Sequence, residues 1–292
     1  MSAQVPRSYL YVPGDAGRRL ELADRRGSDA IIADLEDGVA ATHKAVARQQ
    51  VAAWLAQPPA RPEVERWVRV NVDAQGIEDL GEVFGARLHG VCIPKVADPA
   101  DVQRVARELD RLERANRWTG RAVSIMPLIE SAEGLLSAVA IARAPRVLHL
   151  QLGEVDLAAD LGLEPTPDEL ELLNARATVV TASRVAGLTP PVGAVHIEVR
   201  DLAGLDQSSW RLRRLGFRSR AAIHPSQLQI IHGVFSPSRQ ELDDARGLIA
   251  KYEEAQGSGI GVLLDENGRM IDEAVVLRSR SVIALARDEE GR

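Results

Sequence analysis

Eight short apolar runs punctuate the first 225 residues, and each is followed by a segment with helical spacing. They are SYLYVPG (8–14), AIIADLED (30–37), WVRVNV (67–72), GVCIPKV (90–96), VSIMPLIE (123–130), VLHLQLGEVD (147–156), VGAVHIEV (192–199) and AAIHP (221–225). Most are apolar almost throughout rather than alternating, the pattern of parallel strands covered on both faces. Between them, segments such as 99–118 and 168–187 carry apolar residues at helical spacing. Eight such units predict a closed (β/α)8 TIM barrel. An open doubly wound sheet is the rival, weakened because no Gly-x-Gly-x-x-Gly turn follows the first run. The Pro-rich stretch QPPARP (57–62) reads as a loop within the barrel.

The chain changes character after residue 235. Ser236-Pro237-Ser238 reads as a helix start before RQELDDARGLIAKYEEA. GIGVLLDENGRMID then reads as two short strands around Glu266-Asn267-Gly268-Arg269, and EAVVLRSRSVIALA as a last helix. The expected organisation is a barrel over 1–235 and a dependent helix-hairpin-helix extension over 236–292.

Composition narrows the function classes. The net charge of −6 gives no general basic surface for nucleic acid. The one cysteine, Cys92, excludes an intrachain disulfide and a cysteine-rich zinc site. No uncharged apolar stretch approaches the roughly 18 residues of a membrane span, and the N-terminal residues do not read as a signal peptide. A cytoplasmic setting is expected.

Polar residues gather where the apolar runs end, which in a barrel of this kind is the catalytic rim. They are Asp34, Glu36 and Asp37 after run two, Arg69 and Asn71 in run three, Lys95 after run four, Glu130 after run five, and Glu154 with Asp156 after run six. Such residues also cap helices and form structural ion pairs, so each alone says little. Glu130 and Asp156 lie one repeat apart, which would set them on adjacent strands roughly 4.8 Å apart at one end. Two carboxylates so placed repel unless a cation or proton lies between them. Oxygen ligands without clustered His or Cys favour Mg2+ or Mn2+. Arg69, beside such an ion, would hold the carboxylate of a 2-keto acid through paired hydrogen bonds. His224 reads as a hydrogen-bonded rim residue rather than a ligand.

Taken in order, RSYLYVPGDAGRR, IIADLEDGVA with Lys44 and Ala47-Arg48, VRVN, IPKV, PLIESAEGLL, LGEVDLAADLG, AAIHPSQLQIIHGVFSPS and GRMID resemble the citrate lyase beta-subunit-like family. Its relatives include malyl-CoA, β-methylmalyl-CoA and citramalyl-CoA lyases and malyl-CoA thioesterases. The resemblance implies a homotrimeric or hexameric TIM barrel with Mg2+ on a Glu and an Asp, which fall on Glu130 and Asp156. It implies that Arg69, with Glu130, Tyr11 and Arg18, binds substrate, an acyl-CoA and a 2-keto acid. Asp272 in GRMID matches the acid/base of a C-terminal lid that enters the neighbouring subunit's site. The cluster of Asp34, Glu36 and Asp37 is expected to orient metal-bound water or a neighbouring Arg or Lys, with Glu36 and Asp37 favoured for that role.

Two departures leave the substrate open. Val192-Gly193 stands where citramalyl-CoA lyases have Ile-Asp. Gly153-Glu154-Val155-Asp156 keeps the metal-binding Asp, while an adjacent acid has moved or gone. The implied reaction is reversible carbon–carbon cleavage of a 3-hydroxy-dicarboxylic acyl-CoA. The alternatives are a thioesterase, a citrate lyase subunit acting on an acyl-carrier-protein thioester, and a non-catalytic binding homologue.

Overall fold

In the computed structural model the eight runs become eight parallel strands that close on themselves. They are β1 (Ser8–Pro13), β2 (Ala30–Asp34), β3 (Glu65–Arg69), β4 (Gly90–Ile93), β5 (Ser124–Ile129), β6 (Gln151–Leu152), β7 (Val192–Gly193) and β8 (Ser219–Ala222). They follow chain order around the barrel, and β8 pairs back onto β1. The structure describes residues 5–85, 87–257, 262–264 and 268–286.

Helices join successive strands: α1 (Gly17–Ala23), α2 (Lys44–Ala56), α3 (Asp73–Val83), α4 (Pro99–Ala115), the consecutive α5 (Ala132–Leu136) and α6 (Ala138–Ala142), α7 (Glu154–Leu161), α8 (Leu173–Val185), α9 (Leu202–Leu215) and α10 (Leu228–Phe235). Helix α4 shows why one begins where it does. The Asp98 side chain accepts from the Ala100 amide, Asp101 reaches back to the Asp98 amide, and Pro99 supplies a pre-set first residue.

Strand alternation explains the rim. Tyr9, Ala30, Ile32, Trp67, Cys92, Met126, Leu128, Val192 and Ala221 form one buried apolar cluster drawn from seven strands. Side chains two residues apart share a face. The rows Tyr9–Tyr11, Ile32–Asp34, Trp67–Arg69 and Leu128–Glu130 therefore each run from that core to a polar residue at the strand's C-terminal end.

Two runs shrink most as strands. β6 is only Gln151–Leu152, with an isolated bridge at Val147, and 154–156 open α7 instead. Gly153 ends the extended segment, and two acids in the next turn favour a helix N-terminus. Asp156 is thus a helical residue, which corrects the expectation that it sits on a strand. β7 stops at Gly193, and a loop runs to α9.

The described chain divides into two units, Pro6–His232 and, with Val5, the residues from Gly233 onward. In the second, α11 (Arg239–Gly257) begins behind Ser238, whose hydroxyl accepts from the Glu241 amide. β9 (Leu263–Leu264) and β10 (Met270–Ile271) pair antiparallel, and α12 (Glu273–Ala284) follows. Tyr252, Ile271 and Val276 form its buried apolar cluster. Of the turn expected between β9 and β10, Glu266 and Asn267 lie outside the described residues. No helix among the described residues is long and apolar enough to cross a membrane.

Candidate active site at the barrel mouth

Register brings the first pair together. Asp34 and Arg69 are direct neighbours across β2 and β3. Arg69 Nε donates to Asp34 Oδ1 and Nη2 to Oδ2, both at 2.6 Å, while Nη1 lies 3.1 Å from Glu36 Oε2. These contacts engage three of the five N–H donors of a guanidinium and leave two. The guanidinium also lies over the Tyr11 ring, 5.2 Å from its centroid. Burial works against the Arg69 charge, but the bonds to Asp34 outweigh it and hold its pKa above the ordinary value. Asp34 in turn accepts from the backbone amides of Glu36 and Gly38, both at 2.9 Å. A side chain at Gly38 would reach within 2.3 Å of Asp34 Oδ2. Asp34 is therefore what orients Arg69, the one member of the Asp34, Glu36 and Asp37 cluster that grips it through two hydrogen bonds.

Glu36 and Asp37 meet Lys95. The Lys95 ammonium donates to Glu36 Oε1 at 2.6 Å and Asp37 Oδ2 at 3.4 Å. The Glu36 bond raises the Lys95 pKa. Lys95 has a positive φ of 55°, an unusual conformation for a residue with a side chain. That turn aims its amide at Glu130 Oε1, 2.5 Å away.

Glu130 follows β5 and is 6% exposed. Burial pushes its carboxyl up to about 7; the Asp156 and Glu36 charges add to the rise, and the Lys95 amide and Arg69 oppose it. Gly153 is closely fitted beside it, since a Cβ there would lie 2.6 Å from Glu130 Oε2 and 2.8 Å from its Cβ. Asp156, in the first turn of α7, is exposed and has no hydrogen bond or ion pair among the described residues. A half-neutralised buried carboxyl beside a second, unengaged one is an arrangement a hard cation would satisfy. No cluster of three or more Asp, Glu, His or Cys among the described residues is arranged to hold an ion. Glu130 and Asp156 offer two carboxylate donors, a set that suits Mg2+, which keeps several waters and takes one or two protein carboxylates.

Tyr11 donates to Gln151 Oε1 at 3.1 Å. Arg18 is exposed on α1 and lines an open cleft of ≈ 480 Å³ with Pro13, Asp15, Arg19 and Gly38. His224 caps the turn after β8, its ring nitrogen accepting from the Ser226 amide. Asn71 bonds Asp79 through its side-chain amide at 2.7 Å, a structural use. Asp272 lies in the second unit, where it caps α12 by accepting from the Val275 amide at 3.1 Å.

The two sequence departures acquire positions. A side chain at 193 would meet Leu212 of α9 at 2.7 Å and the Arg220 stem at 3.7 Å. Position 193 therefore faces the helical layer, while Val192 faces the barrel core. Glu154 is gripped by Arg176, and Val155 is 51% exposed.

Comparison with known proteins finds relatives over nearly the whole chain. Residues 7–225 match the model of the HpcH/HpaI aldolase/citrate lyase family. The citrate lyase subunit beta of Escherichia coli is 34% identical over 283 residues, covering 96% of this chain and 93% of its own. A (3S)-malyl-CoA thioesterase of Cereibacter sphaeroides is 36% identical over 282 residues, covering 96% and 94%. The crystal structure of CitE from Mycobacterium tuberculosis, in complex with magnesium, acetoacetate and coenzyme A, superposes with a TM-score of 0.79 at 27% identity. That alignment covers 97% of this chain and 98% of the other. The chain belongs to the HpcH/HpaI aldolase/citrate lyase family, whose members here are lyases or related thioesterases.

Proposed function

We propose that this member of the HpcH/HpaI aldolase/citrate lyase family is an Mg2+-dependent carbon–carbon lyase. It would cleave a 3-hydroxy-dicarboxylic acyl-CoA reversibly into a short acyl-CoA and a 2-keto acid. The observation that carries the reading is Glu130, buried at the barrel mouth with its carboxyl pushed to about 7 beside Asp156. The magnesium, acetoacetate and coenzyme A held by the structural relative support the ligand classes.

Glu130 and Asp156 would hold the ion. When bound, Mg2+ supplies Lewis acidity to the hydroxyl or keto oxygen of the acid portion. Arg69, fixed by Asp34, offers its two remaining N–H donors to the substrate carboxylate and to charge developing on that oxygen. In cleavage the substrate hydroxyl gives its proton to solvent as its carbon becomes the keto carbon, and the electron pair of the breaking bond passes to the thioester fragment as an enolate. Asp272 would protonate the enolate carbon, taking a proton back from solvent afterwards. In condensation the same carboxylate removes that proton. Tyr11 and Arg18 would line the path of the acyl-CoA. Glu36 and Asp37, tied to Lys95, hold the acidic side of the mouth and orient bound water. The working form would be a cytoplasmic homotrimer or hexamer in which Asp272 serves a neighbouring copy.

The similarity to a malyl-CoA thioesterase supports a second reading, hydrolysis of the same kind of thioester. Similarity to a citrate lyase beta subunit supports a third, with an acyl-carrier-protein thioester as substrate. Product analysis with malyl-, methylmalyl- and citramalyl-CoA separates them. Lyase action yields a keto acid and a short acyl-CoA; release of free CoA with a hydroxydicarboxylic acid would replace it by the thioesterase. Turnover of the carrier-bound thioester alone would replace it by the third.

Two further outcomes are expected. Gly153→Ala should retain the fold and weaken Mg2+ binding about tenfold or more, because the added methyl must displace Glu130. Calorimetric titration with Mg2+ checks it, and unchanged affinity would contradict it. The second concerns pH. The Glu130 carboxyl rises from an ordinary 4.5 to about 7 on folding, so protonation favours the folded, ion-free protein. That stability is present below pH 4.5 and is lost as pH rises through 7. A cation needs the ionised form, so added Mg2+ should raise Tm more at pH 8 than at pH 6. Equal shifts in differential scanning fluorimetry would remove Glu130 from the ion site.

A further inference from the structure

Behind the mouth lies a buried charge network that the reaction does not use directly. Arg176 of α8 is 2% exposed. Its Nε and Nη2 donate to the two oxygens of Glu154, at 2.6 and 2.7 Å, and its Nη1 donates to Glu169 Oε2 at 2.8 Å. Glu169 accepts in addition from Ser208 of α9 at 2.8 Å, and Arg211 lies 3.4 Å away. Glu169 thus ties α8 to α9, and Arg176 alone carries that network to the carboxylate of Glu154.

Glu154 is the first residue of α7, and Asp156 is two residues further in the same turn. Asp156 has no tether of its own among the described residues, so its place is set by where that turn begins. Two features fix the start: the Gly153 amide donates to Ile129 O at 3.0 Å, and both Glu154 oxygens are held by Arg176. The same grip does a second thing. Two acids share this turn, and Arg176 neutralises one of them, so only Asp156 remains to face a cation.

We infer that Arg176 and Glu154 form a positioning clamp for the metal ligand Asp156, which rests on the proposed ion site. The clamp selects which first-turn acid serves the ion and holds it in place. It gives the first acid of this turn a role: Glu154, held by Arg176, anchors the start of α7. Groups that orient a ligand from behind change metal affinity typically 10–100-fold when altered.

The test is Mn2+ binding to the full chain, followed by electron paramagnetic resonance at pH 8, with Tm and circular dichroism recorded alongside. Glu154→Gln keeps the shape and one acceptor but loses the charge; Arg176→Lys keeps the charge and loses the paired contact. Each is expected to bind Mn2+ at least tenfold more weakly than wild type, with native circular dichroism. Ser208→Ala, which loosens only the far end of the network, should lower Tm without changing Mn2+ affinity. Wild-type affinity in whichever of the first two variants folds would overturn the clamp, as would equal Mn2+ loss in Ser208→Ala. Failure of the wild-type chain to bind Mn2+ would instead overturn the ion site itself.

Discussion

Glu130→Ala and Asp156→Ala should each abolish Mg2+-dependent turnover while leaving the barrel folded. The expected loss is at least three orders of magnitude in kcat/KM. Lewis-acid stabilisation contributes several kcal/mol to such a transition state, and about 1.4 kcal/mol corresponds to a factor of ten. The fold should survive for different reasons at the two positions. The Asp156 side chain is exposed and makes no hydrogen bond or ion pair among the described residues. Glu130 is buried, and around neutral pH its carboxylate is a burden that the Lys95 amide and the Arg69 charge relieve in part. The ion-free Glu130→Ala protein should therefore melt no lower than wild type at pH 8. Steady-state assays with and without EDTA, with Tm measured in parallel, check both parts. Residual activity that still responds to Mg2+ in either variant would place the ion elsewhere.

Asp272→Asn should leave substrate affinity near wild type and reduce kcat by about 10²–10⁴, the usual contribution of a positioned acid or base. The substitution is informative because of the local structure. Asp272 caps α12 through a hydrogen bond from the Val275 amide, and Asn caps a helix about as well as Asp. The second unit should keep its fold, and only the proton-transferring carboxyl is lost. If Asp272 serves a neighbouring copy, co-expression of Asp272→Asn with Glu130→Ala should restore turnover that neither has alone. Such hybrids contain some mouths with both an intact ion site and an intact acid. An unchanged rate in Asp272→Asn would remove this residue from the chemistry. Inactive hybrids would remove its service to a neighbour.

The sequence carried the architecture well because its main signals are local. Apolar runs and helical spacing are read a few residues at a time, and they gave the eight strands and their order. The ends of the apolar runs made Glu130 and Arg69 legible as rim residues, whereas Tyr11 was marked only by the resemblance of its YVPG segment to the family. Asp156 was legible as a residue near Glu130 but not as part of a helix, since Gly153 and the two following acids shift the boundary by a few residues. What stayed hidden depends on register or on distance along the chain. The pairing of Asp34 with Arg69 follows from β2 lying beside β3 with those two residues opposed, and the sequence does not state that alignment. Arg176 lies 22 residues from Glu154 with nothing local to link them. The positive φ of Lys95 is equally silent, because a lysine there gives no hint of the turn that a glycine would have signalled.

The sharpest single test is a crystal of the full chain soaked in Mn2+ and measured for anomalous scattering. The account predicts one strong peak at the barrel mouth, with a Glu130 oxygen and an Asp156 oxygen each about 2.1 Å from it, the distance of hard octahedral coordination. A map in which those side chains point apart and no peak lies between them, at saturating Mn2+ and pH 8, would contradict it.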